Sequence, residues 1–182
     1  MHIQTFDSWK EFQGVEMLVK KSFLDERGEF IKLYESRVLE KILNIKQVNV
    51  SVNLLKGTLR GMHYQRGTHI ENKAIFCLSG AIFDVLLDLR KGSKTYMKAL
   101  TLELNSESEY GIFIPKGFAH GFQTVADNTT LVYFHSEDYI SSEQGRICPI
   151  SDQLEQIWPE KVTSISEADK TAQNIYYGMS IL

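Results

Sequence analysis

Short runs of β-branched and aromatic residues recur along most of the chain, and turn-forming pairs such as Lys56-Gly57 and Ser79-Gly80 separate several of them. The runs cover residues 46–52, 74–78, 81–87, 97–104, 111–114 and 129–135. Short strands at such brief spacing are typical of an antiparallel sandwich or barrel. The early segment 20–34 is also strand-like, so the pattern predicts an all-β body.

Helical periodicity is confined to two short segments at the edges of this body. Residues 36–43 carry apolar side chains at positions 38, 39, 42 and 43, which is the spacing of one helical face. Residues 166–175 favour a short helix that begins behind a Ser166 cap. We therefore expect a few short helices around the strands.

Composition favours one globular domain over residues 1–182. The chain has 43% hydrophobic and 24% charged residues, and it contains no internal repeat, low-complexity tract or long linker. Its net charge of −3 gives no basic surplus, so we expect neither nucleic acid nor a membrane surface as a partner. Residues 1–13 lack the apolar run of a signal peptide or spanning helix, which predicts a cytoplasmic protein.

A P-x-G-x-x-H motif is formed by Pro115, Gly117 and His120. It resembles the second motif of the cupin barrels, in which a tight turn aims the histidine into the mouth of the barrel. A plain Pro-Gly hairpin with a histidine on its inner face explains the same spacing. The motif alone leaves both interpretations open.

The residues that would form a metal site are incomplete. Metal-binding cupins carry two histidines one residue apart, but here His63 is followed by Gln65, and Glu71 is the only acid shortly downstream. An amide oxygen is a poor ligand for metals that prefer imidazole. Cys77 and Cys148 have no metal-binding spacing and are expected to be reduced thiols, with Cys77 in the core. The sequence therefore predicts no metal.

Several protic side chains lie on predicted strands or at their ends. They are Arg60, His63, Lys73, His120 and Tyr133. Burying them is costly unless they meet partners or a ligand, and period-two alternation also allows them to face solvent. Taken singly, Arg60 and Lys73 are expected on the solvent face.

The run Thr58 to Gln65, TLRGMHYQ, resembles the most specific local motif of the dTDP-4-dehydrorhamnose 3,5-epimerase family. Further matching segments are DERG at 25–28, FDV at 83–85, DLR at 88–90 and IPKGFAHGF at 114–122. The similarity extends with about the same spacing from around residue 15 to Asp169. It implies a cupin-type antiparallel β-barrel or jelly roll and an isomerase that needs no cofactor.

The resemblance also implies catalytic roles for four residues. His63 matches the base that removes a proton from a carbon next to the C4 ketone of the sugar, and Asp169 matches its orienting partner. Tyr133 matches the acid on the opposite face of the ring. Lys73 matches the residue that stabilises the enolate oxygen.

The substrate implied by the resemblance is a nucleotide-diphosphate 4-keto-6-deoxy sugar. The family residues that match Arg60, Ser51 and His120 surround the sugar and diphosphate. Those that match Gln47 and Asn49 belong to the nucleotide-binding edge. The residue that matches Arg27 reaches a nucleotide across a dimer interface, which implies a homodimer, as does the strand-like segment 20–34, which has little else to cover it.

The chemistry requires these residue types independently. Removing a carbon-bound proton next to a ketone creates an enolate, so a base, a cation at the oxygen and an acid on the far face are all needed. Histidine suits the base because its reference pKa of about 6.5 lies near working pH. Neither a metal nor a redox cofactor is required for this reaction.

The chain departs from the family pattern at its periphery. Lys32 stands where the family usually has a glutamate that serves the nucleotide, and Phe76 replaces an arginine. Residues 148–152 replace a W-[ND]-D-P stretch, although Trp158-Pro159 is retained. We expect a dTDP sugar of a deoxysugar pathway, while a CDP- or other NDP-linked sugar and inversion at C3 alone or C5 alone stay open.

Two other functions fit a barrel of this type. A sugar 3,4-ketoisomerase would move the carbonyl and would not need Tyr133 as an opposite-face acid. A non-catalytic sugar-binding cupin would not require the polar residues to converge. Convergence of His63, Lys73, Tyr133 and Asp169 would argue against the binding protein.

Overall fold

A computed structural model describes residues 1–174, and this part of the chain consists mainly of β-strands. The strands are β1 His2–Gln4, β2 Glu16–Val19, β3 Lys21–Asp25, β4 Gly28–Lys32, β5 Gln47–Asn53, β6 Leu59–Gln65, β7 Lys73–Ser79, β8 Ala81–Asp88, β9 Ala99–Asn105, β10 Tyr110–Ile114, β11 Phe118–Thr124, β12 Thr129–His135 and β13 Gln144–Arg146. The α-helices are α1 Ser36–Leu39 and α2 Glu167–Lys170.

The strands form two facing antiparallel sheets. One sheet has six strands in the order β1-β2-β10-β7-β12-β5, and the other has five in the order β13-β6-β11-β8-β9. The main core lies between them, where Ile75 and Leu131 of the first sheet pack with Leu86 and Phe122 of the second. The predicted all-β jelly roll with short peripheral helices is therefore confirmed.

All six hydrophobic runs correspond to strands, β5, β7, β8, β9, β10 and β12. The run predicted from residue 97 begins two residues later, at Ala99, because Met97 has a left-handed backbone with φ of 63°. No run predicts β1, β2 or β13, since strands of three or four residues are too short to show alternation. The seven-residue strands β6 and β11 also lie outside the runs, because glycine and polar residues interrupt their apolar positions.

Both predicted helices exist but are shorter than expected. The first ends at Leu39, although Leu43 still donates its backbone N–H to the Leu39 carbonyl at 2.7 Å. The second begins behind Ser166, whose side-chain oxygen accepts from the Asp169 backbone N–H at 3.1 Å. It ends at Lys170, and the predicted end at residue 175 lies outside the described residues.

The segment around α1 covers the outer face of β7 and β12. Leu39 and Leu43 are fully buried and pack with Phe76 and Phe134, which point away from the main core. Cys77, on the opposite face of β7, is buried in the core as predicted. Side chains thus alternate along β7 and β12, with one face of each strand under the α1 segment and the other face in the interior of the barrel.

Two apolar surfaces stay uncovered in the described chain. Strands β3 and β4 pair with each other as a separate hairpin, and Phe23, Leu24 and Phe30 on it are exposed. Strand β5 lies at the edge of its sheet, and its outward side chains Val48 and Val50 are also exposed. None of the helices described here is long and apolar enough to cross a membrane.

Candidate active site

A cleft of about 260 Å³ opens between the two sheets at one end of the barrel. Strands β5, β7 and β12 form one wall, and β6 and β11 form the other. Seven of the predicted site residues line it: Asn49, Ser51, Arg60, His63, Lys73, His120 and Tyr133. The structure therefore brings most of the predicted set together.

Strand register explains how the first wall is built. His135 pairs with Lys73 across β12 and β7, and Tyr133 pairs with Asn49 across β12 and β5. Partners directly opposite each other project from the same face of a sheet, and residues two apart do the same. These side chains therefore all point into the cleft. Lys73 is only 6% exposed, so the expectation that it faces solvent was wrong.

His63 and Asp169 form a hydrogen-bonded pair on the opposite wall. His63 Nε2 lies 2.6 Å from Asp169 Oδ1, and Asp169 is buried at the start of α2. Burial raises the pKa of Asp169, but the hydrogen bond and charge of His63 outweigh it and leave the pKa below its usual value. Asp169 therefore stays ionised and can orient the imidazole.

Tyr133 lies on the first wall between two aromatic rings. The His135 ring stacks on it with a centroid distance of 5.9 Å, and the His120 ring meets it edge-on at 6.2 Å. Burial, together with the negative charge of Asp84, raises the pKa of Tyr133 well above its usual value. The phenol consequently keeps its proton at neutral pH.

His120 is held by a carboxylate beneath the cleft. Its Nε2 lies 2.5 Å from Oδ1 of Asp84, which is fully buried on β8. The turn before β11 contains Gly117 with φ of 90°, and a Cβ there would lie 2.5 Å from Arg90 Cγ. This tight turn aims β11 and His120 into the barrel, as in the cupin interpretation of the motif.

The model of the dTDP-4-dehydrorhamnose 3,5-epimerase family matches residues 10–176, which is most of the chain. The chain belongs to this family. A Streptomyces griseus dTDP-4-dehydrorhamnose 3,5-epimerase is 33% identical over 168 residues, covering 90% of this chain and 83% of that protein. A Streptomyces niveus dTDP-4-dehydrorhamnose 3-epimerase is 32% identical over 164 residues, covering 88% of this chain and 79% of that protein.

A solved family member has the same fold over nearly its whole length. The RmlC epimerase of Legionella pneumophila, crystallised with dTDP-4-keto-L-rhamnose, superposes with a TM-score of 0.83 at 30% identity. The superposition covers 95% of this chain and 92% of that one. Family membership and the jelly-roll fold thus agree.

Three predicted residues do not line the epimerase cleft. Asp169 lies behind His63 and acts on it directly. Gln47 is at the start of β5, where its Oε1 accepts the Tyr139 backbone N–H at 2.9 Å. Arg27 lies at the exposed tip of the β3–β4 hairpin and pairs with Asp25 at 2.6 Å, so a single chain does not bring it to the cleft.

The family departures lie outside the cleft as well. Phe76 is fully buried under the α1 segment and packs edge-on against Phe134 at 6.0 Å. Lys32, at the end of β4, lies 3.7 Å from a carboxylate oxygen of Glu35. Both changes therefore leave the lining of the cleft in the described chain intact.

Gln65 has a structural role at the position where metal-binding cupins carry a histidine. Its Nε2 donates to the Asp138 carbonyl at 3.2 Å, and its Oε1 accepts the Ile140 N–H at 3.0 Å. Within residues 1–174 no group of three or more His, Cys, Asp or Glu side chains is arranged to hold a metal ion.

Three charged contacts near the cleft were not predicted from sequence. Arg146 Nε lies 3.4 Å from Asp169 Oδ1, and Glu71 bridges Lys73 and His135. In the sequence, Glu71 stands out only as the acid downstream of His63 in a metal-binding pattern. Alternation along β12, which predicts that His135 shares the face of Tyr133, was the available signal.

Acid should weaken the protein partly through Glu71. Burial alone raises its pKa, but the charge of Lys73 and the hydrogen bond from His135 outweigh this and lower the pKa from 4.5 to about 2. The resulting stability is present above pH 4.5 and lost as pH falls towards 2, a change of the order of 3 kcal/mol at about 1.4 kcal/mol per unit. Urea unfolding between pH 6 and 2.5 should give a shallower loss for Glu71→Gln than for the natural chain; equal slopes would contradict this.

Proposed function

We propose that this protein inverts C3, C5 or both of a nucleotide-diphosphate 4-keto-6-deoxyhexose, with a dTDP sugar of deoxysugar biosynthesis as substrate. Family membership and the names of the relatives support the reaction class and the nucleotide. The observation that carries the mechanism is one cleft with the His63–Asp169 pair on one wall and Tyr133 on the other.

His63 is the proposed base. Nε2 of His63 contacts the Asp169 carboxylate, so Nδ1 is the ring nitrogen that exchanges a proton with the sugar. Neutral imidazole takes the proton from the carbon next to the ketone, and the electron pair moves to the ketone oxygen. Lys73 stabilises the enolate that forms, as a cation does at a developing oxyanion.

Tyr133 is the proposed acid on the far face of the ring. Its raised pKa prevents loss of the proton to solvent, while an enolate carbon is basic enough to take it. After one inversion His63 holds the substrate proton and Tyr133 is a phenolate. Exchange with water restores both groups, so no cofactor is consumed.

The remaining predicted residues are proposed to hold the substrate. Arg60 supplies hydrogen-bond donors beside the sugar and diphosphate, and His120 and Ser51 line the same cleft from opposite walls. Arg60 Nε is oriented by Asn53 Oδ1 at 2.7 Å. Asn49 and Gln47 lie on the nucleotide side of the cleft.

We further infer a single domain over residues 1–182 in a cytoplasmic homodimer. Reduced, buried Cys77 and Cys148 fit a reducing compartment. The exposed hairpin of Phe23, Leu24 and Phe30 and the valine face of β5 are suited to cover each other in two copies. Arg27 at the hairpin tip would then reach the partner's cleft.

The dimer predicts a molar mass of twice 20.9 kDa by light scattering at micromolar concentration. Val50→Lys places a charge on the exposed valine face and should shift the mass towards one chain. Thr101→Lys, at an exposed position of edge strand β9, is the matched control and should stay dimeric. A monomeric natural chain would contradict the dimer and the role of Arg27.

The reaction is tested by incubation with dTDP-, CDP- and GDP-linked 4-keto-6-deoxy sugars in deuterated water, followed by NMR of the sugar ring. Deuterium at C3, C5 or both identifies the inverted centres, and we expect the dTDP sugar to react fastest. Movement of the carbonyl would indicate a ketoisomerase. Absence of exchange with every substrate would overturn the epimerase proposal.

A further inference from the structure

Glu71 occupies a buried position beside the proposed catalytic residues. It lies two residues before Lys73, and its side chain is 9% exposed. Oε1 lies 2.9 Å from Lys73 Nζ, and Oε2 lies 2.7 Å from His135 Nδ1. One carboxylate therefore connects β7 and β12 at the floor of the cleft.

The contacts of His135 determine where its proton lies. Glu71 is ionised, so its Oε2 can only accept, and Nδ1 of His135 must carry the hydrogen. Nε2 lies 3.3 Å from Asn49 Nδ2, an amide nitrogen that can only donate. With the Asn49 amide in this orientation, the ring is the neutral Nδ1–H form, and the charge of Glu71 is balanced by Lys73.

The same contacts restrain two catalytic side chains. The His135 ring stacks on the ring of Tyr133 at an angle of 14°, so a His135 ring held in place restrains the Tyr133 ring. Lys73 is buried, and a buried ammonium is stable only beside a counter-charge. Both effects depend on the carboxylate of Glu71.

We propose that Glu71 and His135 are positioning residues for the epimerisation. Glu71 keeps Lys73 cationic and directed at the ketone oxygen, and His135 holds the Tyr133 ring so that its hydroxyl faces the sugar. This inference rests on the proposed function, because it names residues that act through Lys73 and Tyr133.

The charged and titratable groups around this cluster come from both walls of the cleft. They are Arg60, His63, Tyr64, His120, Tyr133 and Tyr139, with Asp84 and Asp169 behind the two histidines. Asp84 and Asp169 each contact a histidine of the five-stranded sheet, across the cleft from Glu71. Glu71 is the carboxylate in contact with Lys73, so its removal should act on Lys73 first.

Glu71→Gln keeps the size of the side chain and removes its charge. We expect kcat at pH 7 to fall about tenfold or more, less than the about 10²–10³-fold caused by deleting an oxyanion donor. The alkaline limb of the kcat profile should move to lower pH by about one unit, because an ammonium without its counter-charge loses its proton more readily. KM should stay within about threefold, since no contact to substrate is removed.

His135→Phe and His135→Ala separate the ring from its hydrogen bonds. Phenylalanine keeps a flat surface against Tyr133 and should retain more net inversion than alanine. Glu137→Gln is the matched control, because Glu137 pairs with Lys46 at 2.5 Å on the exposed side and does not line the cleft. Its pH profile should equal that of the natural chain.

Nitrogen-15 NMR of the natural chain tests the geometry without any substrate. We expect His135 as the neutral Nδ1–H form, and mixed tautomers in Glu71→Gln. An Nε2–H or doubly protonated ring in the natural chain would overturn the proposal, even if Glu71→Gln failed to fold.

In the kinetic test, a loss of kcat in Glu71→Gln that is the same at every pH would overturn the proposal, because it would show that the Glu71–Lys73 ion pair is purely structural. If the natural chain exchanges no substrate, the proposed function fails, whereas the tautomer result still stands by itself.

Discussion

His63→Ala should abolish both turnover and deuterium uptake, because it removes the imidazole that is proposed to take the carbon-bound proton. Loss of a general base costs about 10²–10⁴-fold, which sets the minimum expected deficit. The side chain lies at the edge of the cleft rather than in the core, and Asp169 retains the backbone N–H of Gly61 at 3.4 Å. We therefore expect folding to survive the substitution.

His2→Ala is the control for removal of a histidine, since His2 lies on the exposed face of β1 and should keep full activity. Asp169→Asn keeps the shape of the orienting partner without its charge and should lower kcat by no more than His63→Ala. The measurement is initial-rate NMR in deuterated water with matched enzyme concentrations. Exchange by His63→Ala within tenfold of the natural rate would show that another group is the base.

The positions of most strands and the faces that they bury could be predicted from runs of apolar residues and their alternation. β12 is the clearest case, because Leu131 and Tyr133 point to the interior while Val132 and Phe134 point outward. Where an element is short, as in β13, the pattern contains too few residues to be read. The hairpin of β3 and β4 showed a strand pattern, but its exposure reflects a surface that one chain does not cover.

The site was predictable from local motifs and from the wider resemblance to the family. His63 and His120 stand in runs that resemble the family, and the structure places both in the cleft. Asp169, 106 residues after His63, was found through the resemblance, since no local pattern joins the two. Their catalytic roles stay predictions until the variants are measured.

The contact of Glu71 with His135 could not be predicted, because it depends on the register between β7 and β12. A one-residue shift of that register would turn His135 to the outer face. Lys73 illustrates the same limit, since alternation permits either face and only the packed sheets decide that it is buried. A correct list of strands therefore does not give the contacts between them, because the contacts also depend on the register of strand pairing.

Tyr133→Phe should separate proton exchange from inversion. The substitution keeps the ring between His135 and His120 and deletes only the hydroxyl. His63 can still remove a proton and return a solvent deuteron to the same face, while the far face has lost its donor. Net inversion should fall by about 10²–10⁴-fold, the usual effect of a general acid, and washout of deuterium into the unreacted sugar should fall much less.

The ratio of the two rates, read from one NMR time course, cannot be changed by weaker binding or partial unfolding, because both would lower the rates together. Tyr139→Phe, which alters a second phenol at the rim of the cleft, is the matched control and should leave the ratio unchanged. Equal loss of exchange and inversion in Tyr133→Phe, with nucleotide binding intact, would mean that Tyr133 shapes the cleft and that the far-face proton comes from another group.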